Sequence, residues 1–357
     1  MLETLRTKIA NANADALLVT QPANVRYLSG FTSPEDARIL ITPEKVLFIT
    51  DGRYTVQAQQ EVKLETLIIP TSTTPVIDYL ANLVNPYKLA VEANHMTLDM
   101  ATAFKEKSGR DVIPTNNLVT DFRLVKTPQE LEYLREAALL TDKAFTYILN
   151  VLDAGMTEIE VALELERFLR KQGSEGVAFD IIVASGERSA MPHGRASQKT
   201  IQMGELVTLD FGAVQHGYHS DMTRTVGMGD VPDDQQAMYA AVLEAQELAL
   251  AAIAPKKSGK VIDQIARDSL KKHSVEQHSL DQYFVHSLGH GVGLQIHENP
   301  ALSQRREDFL EVGNTVTVEP GVYVPGKAGI RIEDLVVVTA TGCERLSHSP
   351  KTYLSIS

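Results

Sequence analysis

Apolar residues recur at helical spacing from Pro128 to about Leu152, again from Thr157 to Gln172, and from about Asp233 to Ala254, which predicts three helices. The first opens on a start signal, with Thr127 able to cap, Pro128 in the first turn and Glu130 three residues after Thr127. Strand-rich segments lie between and after these helices. The first third of the chain alternates helical and strand patterns. Its N-terminus reads as an amphipathic helix leading into a strand at Ala16 to Thr20. Ile39 to Ile41 and Val46 to Thr50 form a hairpin pattern turned at Pro43-Glu44. Another strand follows the turn-like Asn85-Pro86, at Leu89 to Glu92. Asn24, Arg26, Tyr27, Arg53 and Tyr54 are expected to play structural parts at strand ends. The stretch from Asp121 to Pro128 reads as a boundary, giving a small α/β domain at 1–122 and a larger domain at 123–357.

The larger domain contains an internal repeat. Leu206-Val-Thr-Leu-Asp210-Phe-Gly212 resembles Thr315-Val-Thr-Val-Glu319-Pro-Gly321. Each is followed by a second segment that also carries acid, His219-Ser-Asp221-Met-Thr-Arg-Thr225 and Ile330-Arg-Ile-Glu333-Asp334. Because strand side chains alternate between faces, Thr208 shares a face with Asp210, Thr317 with Glu319, and Arg331 with Glu333. These carboxylates therefore sit inside apolar strands, where an unpaired charge costs several kcal/mol. Each must be partnered, neutralised or bound to metal. One arginine satisfies one acid, and four acids at matching places point to metal.

Histidines extend the pattern. His286-Ser-Leu-Gly-His290-Gly-Val-Gly-Leu-Gln-Ile-His297-Glu298 sets three of them along a glycine-punctuated stretch. It is neither HExxH on a helix nor a phosphate loop. Beside four acids, they read as one ligand plus proton carriers, with His193 in Met-Pro-His193-Gly as a fourth candidate.

Composition narrows the class. Hydrophobic residues make up 43% and charged residues 22%, which are globular proportions. A net charge of -12 argues against general binding to nucleic acid or anionic lipid. Cys343 is the one cysteine, so no thiolate metal site and no internal disulfide can form. The N-terminus lacks signal-peptide features, and no apolar run nears the ~20 residues that span a bilayer. A cytoplasmic protein without membrane attachment is the expectation.

Taken together, LDFGAV, SDMTRT, HSLGHGVGLQIHE, VEPGVY and GIRIED resemble the pita-bread metallopeptidases, which include methionine aminopeptidase, aminopeptidase P and prolidase. The likeness spans essentially the whole chain, and the first third is similar to the extra domain of the aminopeptidase P and prolidase branch. It implies an α/β (α+β) fold, a small N-terminal α/β domain before a pita-bread domain with duplicated β-hairpin/helix halves. It implies two divalent ions held by Asp210, Asp221, His290, Glu319 and Glu333. Oxygen-rich ligands with a single imidazole favour Mn²⁺ and leave Co²⁺, Zn²⁺ and Fe²⁺ open. Glu319 is the implied base, with His193 and His297 as donors to the oxyanion, and His297 also to the leaving amine. His286 would line the pocket. Arg305, or Arg306, would pair with a free proline carboxylate, and Arg331 would bind substrate or orient the acids. The implied activity is hydrolysis of the bond preceding proline in short peptides, by a homodimer. Dipeptidase is slightly favoured over aminopeptidase because the chain is compact and Arg305 is available. Two rival readings are a metal-free creatinase-like C–N hydrolase and a non-catalytic peptide-binding module. Both are expected to lose metal ligands, and all five are present here.

Overall fold

In a computed structural model of the chain, residues 1–70, 76–85 and 87–357 are described. Pro86, half of the expected Asn85-Pro86 turn, lies outside them. The chain folds as two compact units, Met1–Arg123 and Leu124–Ser357.

In the first unit, α1 (Leu2–Asn11) leads into β1 (Ala16–Val19), and α2 (Pro22–Ser29) follows. The expected hairpin is β2 (Arg38–Ile41) against β3 (Val46–Asp51). Then come α3 (Thr55–Glu61), β4 (Glu65–Ile69), α4 (Val76–Val84), β5 (Leu89–Glu92), α5 (Leu98–Ser108) and β6 (Ile113–Thr115). Their sheet runs β4-β3-β2-β1-β5-β6. Leu17, Val19, Ile39 and Ile41 enter one core layer, while Ala16, Leu18, Leu40 and Val91 enter the other. Strands covered on both faces read as continuous apolar runs for this reason. Arg53 and Tyr54 do follow a strand end, where Arg53 pairs with Asp51 and Asp36 and Tyr54 donates to Asp36. Asn24, Arg26 and Tyr27 instead sit on α2. From there Asn24 is buried and donates to Glu92 at the end of β5, at 2.6 Å.

The second unit has two similar halves. The first begins with α6 (Pro128–Ile148) and α7 (Glu158–Lys171), each opened by a Thr–Glu capping box. It continues with β7 (Ile182–Ser185), β8 (Leu206–Phe211), β9 (Val214–Gln215), β10 (Tyr218–His219) and β11 (Met222–Met228). The second half begins with α8 (Asp233–Ala252) and α9 (Gly259–Leu270), then a short ribbon of β12 (Ser274–Val275) and β13 (His278–Ser279). After it come β14 (Gly289–Gly291), β15 (Glu298–Leu302), β16 (Thr315–Val318), β17 (Gly321–Val324), β18 (Ala328–Arg331), β19 (Asp334–Val338) and β20 (Cys343–Arg345). The terminal β21 (Ser355–Ile356) returns to the first half, giving sheets β21-β11-β8-β7 and β15-β14-β16-β19-β20. In one half β8 pairs with β11, with the ribbon β9–β10 between them in sequence. In the other β16 pairs with β19 around the ribbon β17–β18. Helices α6 and α7 pack on the first sheet and α8 and α9 on the second.

Four details differ from the sequence pattern. Ile330 to Glu333 is not one strand, because β18 ends at Arg331 and β19 starts at Asp334, leaving Glu333 where the chain passes from ribbon to sheet. Asp221 has the equivalent place just ahead of β11. Helix α6 stops at Ile148 rather than about Leu152, and Asn150 Nδ2 donates to the Thr146 carbonyl left over at its end. Helix α8 stops at Ala252 because Pro255 disfavours helical backbone at Ala254. Helix α9 was not expected at all, although Ile262, Ala266 and Leu270 have helical spacing. Gly259 at its start and the buried Asp263 and Ser269 obscure its apolar face.

Candidate metal centre

A cleft of about 690 Å³ in the second unit is lined by Asp210, Asp221, Glu319, Glu333, His193, His286, His290, His297, Arg305 and Arg331. The structure thus brings every residue of the sequence-derived set to one place except Arg306, the alternative to Arg305. Asp210 comes from β8. Asp221 and Glu333 precede β11 and β19, and Glu319 follows β16, where Pro320 lacks the N–H needed to continue the ladder. His290 is carried by β14. That strand is all but side-chain-free elsewhere: a Cβ on Gly289 would lie 2.0 Å from the Thr317 carbonyl oxygen, so only glycine permits the close approach.

One ligand atom each from Asp221, His290 and Glu333 lie within 4.8 Å of one another. His290 Nε2 is 3.6 Å from Asp221 Oδ2 and 3.3 Å from Glu319 Oε1. Its Nδ1 faces the Gly291 carbonyl at 3.1 Å and must donate there, which leaves Nε2 to the acids. Asp210 Oδ2 accepts from Arg331 Nη2 at 2.5 Å, and Glu333 Oε2 accepts from Thr223 Oγ1 at 2.7 Å. The other oxygens, Asp210 Oδ1 and Glu333 Oε1, are buried with no hydrogen-bond partner. Burial raises the pKa of Asp210, and raises those of Asp221 and Glu333 well above the usual range, reinforced by the neighbouring acids. Four carboxylates thus share one buried guanidinium. A donor set short of positive charge, with two orphaned oxygens, fits divalent cations.

Arg331 has little left to offer a substrate. Its Nε donates to Thr223 Oγ1, Nη1 to Pro192 O and Tyr323 Oη, and Nη2 to Asp210. Of its two sequence-derived parts, the geometry supports orienting the acids. Tyr323 passes the hydrogen-bond chain on. Its hydroxyl accepts from Arg331 and so donates to His286 Nε2 at 2.8 Å, while His286 Nδ1 donates to the Ser287 carbonyl. Burial holds the Tyr323 phenol up to about 12 and pushes His286 down, which keeps both neutral in that chain. His290 and His297 stack edge to face with centroids 4.2 Å apart. Burial and the neighbouring His290 lower His297. Arg305 is exposed on the cleft wall, whereas Arg306 bonds Asp308 and Asn299.

Thr223, Arg224 and Tyr323 were missed by sequence reasoning. The buried Arg224 donates to the Glu333 carbonyl and pairs with Asp334 at 2.7 Å, fixing the backbone beneath Glu333. Each stands inside a quoted motif word, SDMTRT or VEPGVY, and that proximity was the available signal.

Duplicated hairpin halves enclosing buried acids, with one imidazole turned toward them, define a pita-bread metallohydrolase. The chain belongs to metallopeptidase family M24, which matches residues 132–340, and residues 1–125 match the Creatinase/Prolidase N-terminal domain. It is 42% identical to an Xaa-Pro dipeptidase from Bacillus anthracis, with a TM-score of 0.93 over 99% of this chain and 98% of that one. An X-Pro aminopeptidase from Thermotoga maritima is 39% identical, with a TM-score of 0.88 over 96% and 98%. An Xaa-Pro dipeptidase from Pyrococcus furiosus is 37% identical over 99% of both chains. No described helix is long and apolar enough to cross a membrane.

Proposed function

We propose that this chain hydrolyses the peptide bond preceding proline in short peptides, using two divalent ions held by Asp210, Asp221, His290, Glu319 and Glu333. The observation that carries the reading is the pair of orphaned buried oxygens, Asp210 Oδ1 and Glu333 Oε1, in a cleft where His290 Nε2 faces Asp221 and Glu319. The names of the similar enzymes support the substrate class. Bound there, the ions supply Lewis acidity and lower the pKa of water.

The chain's own groups do the rest. Glu319 accepts the proton of the attacking water, and Thr317 Oγ1 orients its carboxylate from 3.0 Å. His193 and His297, which line the cleft, donate to the developing oxyanion and the departing amine. Phe179, Ile182, Val285 and Ile296 offer apolar wall to a pyrrolidine ring. An Xaa-Pro bond has no N–H to satisfy, so that apolar wall leaves no donor stranded. Arg305 pairs with the free carboxylate of a dipeptide, which favours dipeptidase over aminopeptidase. Mn²⁺ is the metal the donor set favours. A homodimer in the cytoplasm completes the reading.

Hydrolysis of Ala-Pro and Ala-Pro-Pro, side by side after chelator stripping and Mn²⁺ reloading, tests it. Metal-dependent cleavage with Ala-Pro the better substrate is expected. Absence of cleavage of either peptide by metal-loaded protein would refute the activity, and preference for Ala-Pro-Pro would make it an aminopeptidase.

A further inference from the structure

Helix α9 carries a polar pair on its buried side that the proposed mechanism does not use. Ile262, Ala266 and Leu270 bury there, and Asp263 is as deep as they are, at 0% exposure. Aspartate is a poor residue for a helix interior because its carboxylate competes for backbone groups, so its reason lies in its partners. One turn on, Arg267 Nε donates to Asp263 Oδ2 at 2.7 Å.

The rest of both side chains is directed at the cleft wall. Arg267 Nη1 donates to the Phe284 carbonyl at 3.0 Å and Nη2 to the His286 carbonyl at 2.6 Å. The guanidinium also lies 4.3 Å over the Phe284 ring. Leu288 N donates to Asp263 Oδ1 at 2.9 Å, and Gln304 Nε2 donates to Oδ2 at 2.8 Å. The pair therefore grips the chain at 284, 286 and 288, on either side of His286, and again at Gln304, beside Arg305. Residues 284–288 belong to no helix or strand, so α9 side chains supply partners that a sheet ladder would otherwise give. His286, Ser287, Ser303 and Arg305 all line the cleft.

We propose that Asp263 and Arg267 are positioning residues that set the substrate-reading wall of the cleft, holding His286 and the turn before Arg305 in fixed relation. The inference rests on the reading of the cleft as a peptide site and adds what shapes its specificity. Neither residue touches substrate; both act through backbone that carries residues which do.

Arg267→Lys keeps the charge but loses the planar fork that reaches two carbonyls. In the metal-loaded full chain, its KM for Ala-Pro is expected to rise about tenfold, the scale of losing a group that orients site residues. Its kcat should stay within about twofold of wild type, the split expected when only uniform binding is lost, with metal content unchanged. Amide exchange across 284–288 should quicken about tenfold as that segment opens locally. Val161→Ala, in the separate core of the first half, lowers thermal stability away from the segment and should move neither KM nor this exchange. Wild-type KM or wild-type exchange in Arg267→Lys overturns the proposal. Should that variant fail to fold, Gln304→Ala removes one grip and should raise KM about threefold; an unchanged KM there overturns it equally. Wild-type protein that cleaves no Xaa-Pro peptide refutes the proposed activity instead, and the exchange measurement alone then decides the positioning role.

Discussion

Thr223 serves two charged groups at once, accepting from Arg331 Nε at 3.0 Å and donating to Glu333 Oε2 at 2.7 Å. Thr223→Val keeps the shape and removes both bonds, leaving a buried donor and a buried acceptor unmet at about 1–3 kcal/mol each. We expect metal affinity to fall about 10–100-fold in that variant, as for other groups that orient ligands, read by metal titration; unchanged affinity would remove Thr223 from the site. His297→Ala should instead leave metal content intact and lower kcat on Ala-Pro by about 10²–10⁴, the range for a lost proton donor. The difference between these two residues also explains what was legible beforehand. A carboxylate in an apolar strand is conspicuous because burying it is costly. Threonine and tyrosine suit any strand, so Thr223 and Tyr323 gave no such signal.

At the scale of elements, the repeated words around Asp210 and Glu319 were readable because each half needs the same strand, ribbon and strand to set two acids. The break at Ile332-Glu333 was not, since an apolar-polar alternation looks the same whether the chain stays in one strand or passes to another. Helix α9 was hidden by the buried acid that gives it its use. Another buried acid governs how α7 is anchored. Glu158 accepts from Ser185 N and Oγ, Ser197 N and Oγ, and Arg188 Nε. Burial alone would raise its pKa, but the Ser197, Ser185 and Arg188 bonds outweigh it and hold the carboxyl below its usual value of 4.5. The stability it contributes is therefore present above the unfolded pKa and lost as pH falls through the folded one. Urea unfolding should show wild type losing stability across that acid range and Glu158→Gln losing less; parallel curves would contradict this. Elsewhere, Lys126 and Glu298 form an ion pair with side chains only 1% and 3% exposed, tying the segment before α6 to the strand that follows His297. Lys126→Met removes the cation from that buried pair and should cost about 3 kcal/mol in the same assay.

Across the whole molecule, each unit has its own core, and the acid-rich cleft belongs to only one of them. The resemblance made both units legible, because short words such as SDMTRT and VEPGVY are tied to one architecture. Composition alone could reach only a globular, acidic protein. Placing the cleft wholly within Leu124–Ser357 has a thermodynamic consequence. Cations that bind the folded second unit and not its unfolded chain stabilise that unit by mass action, about 2.7 kcal/mol at a hundredfold excess over Kd. Among the described residues, none of the first unit lines that cleft, so the first unit has no direct share in that linkage. Calorimetry of the full chain in chelator and then in Mn²⁺ should therefore show the transition of the second unit rising by several degrees while that of the first stays put. Asp221→Ala should abolish the rise without lowering the first transition. A rise of both transitions in parallel would mean that the units unfold as one cooperative body. No rise in wild type would count directly against the metal centre, whatever peptides the protein cleaves.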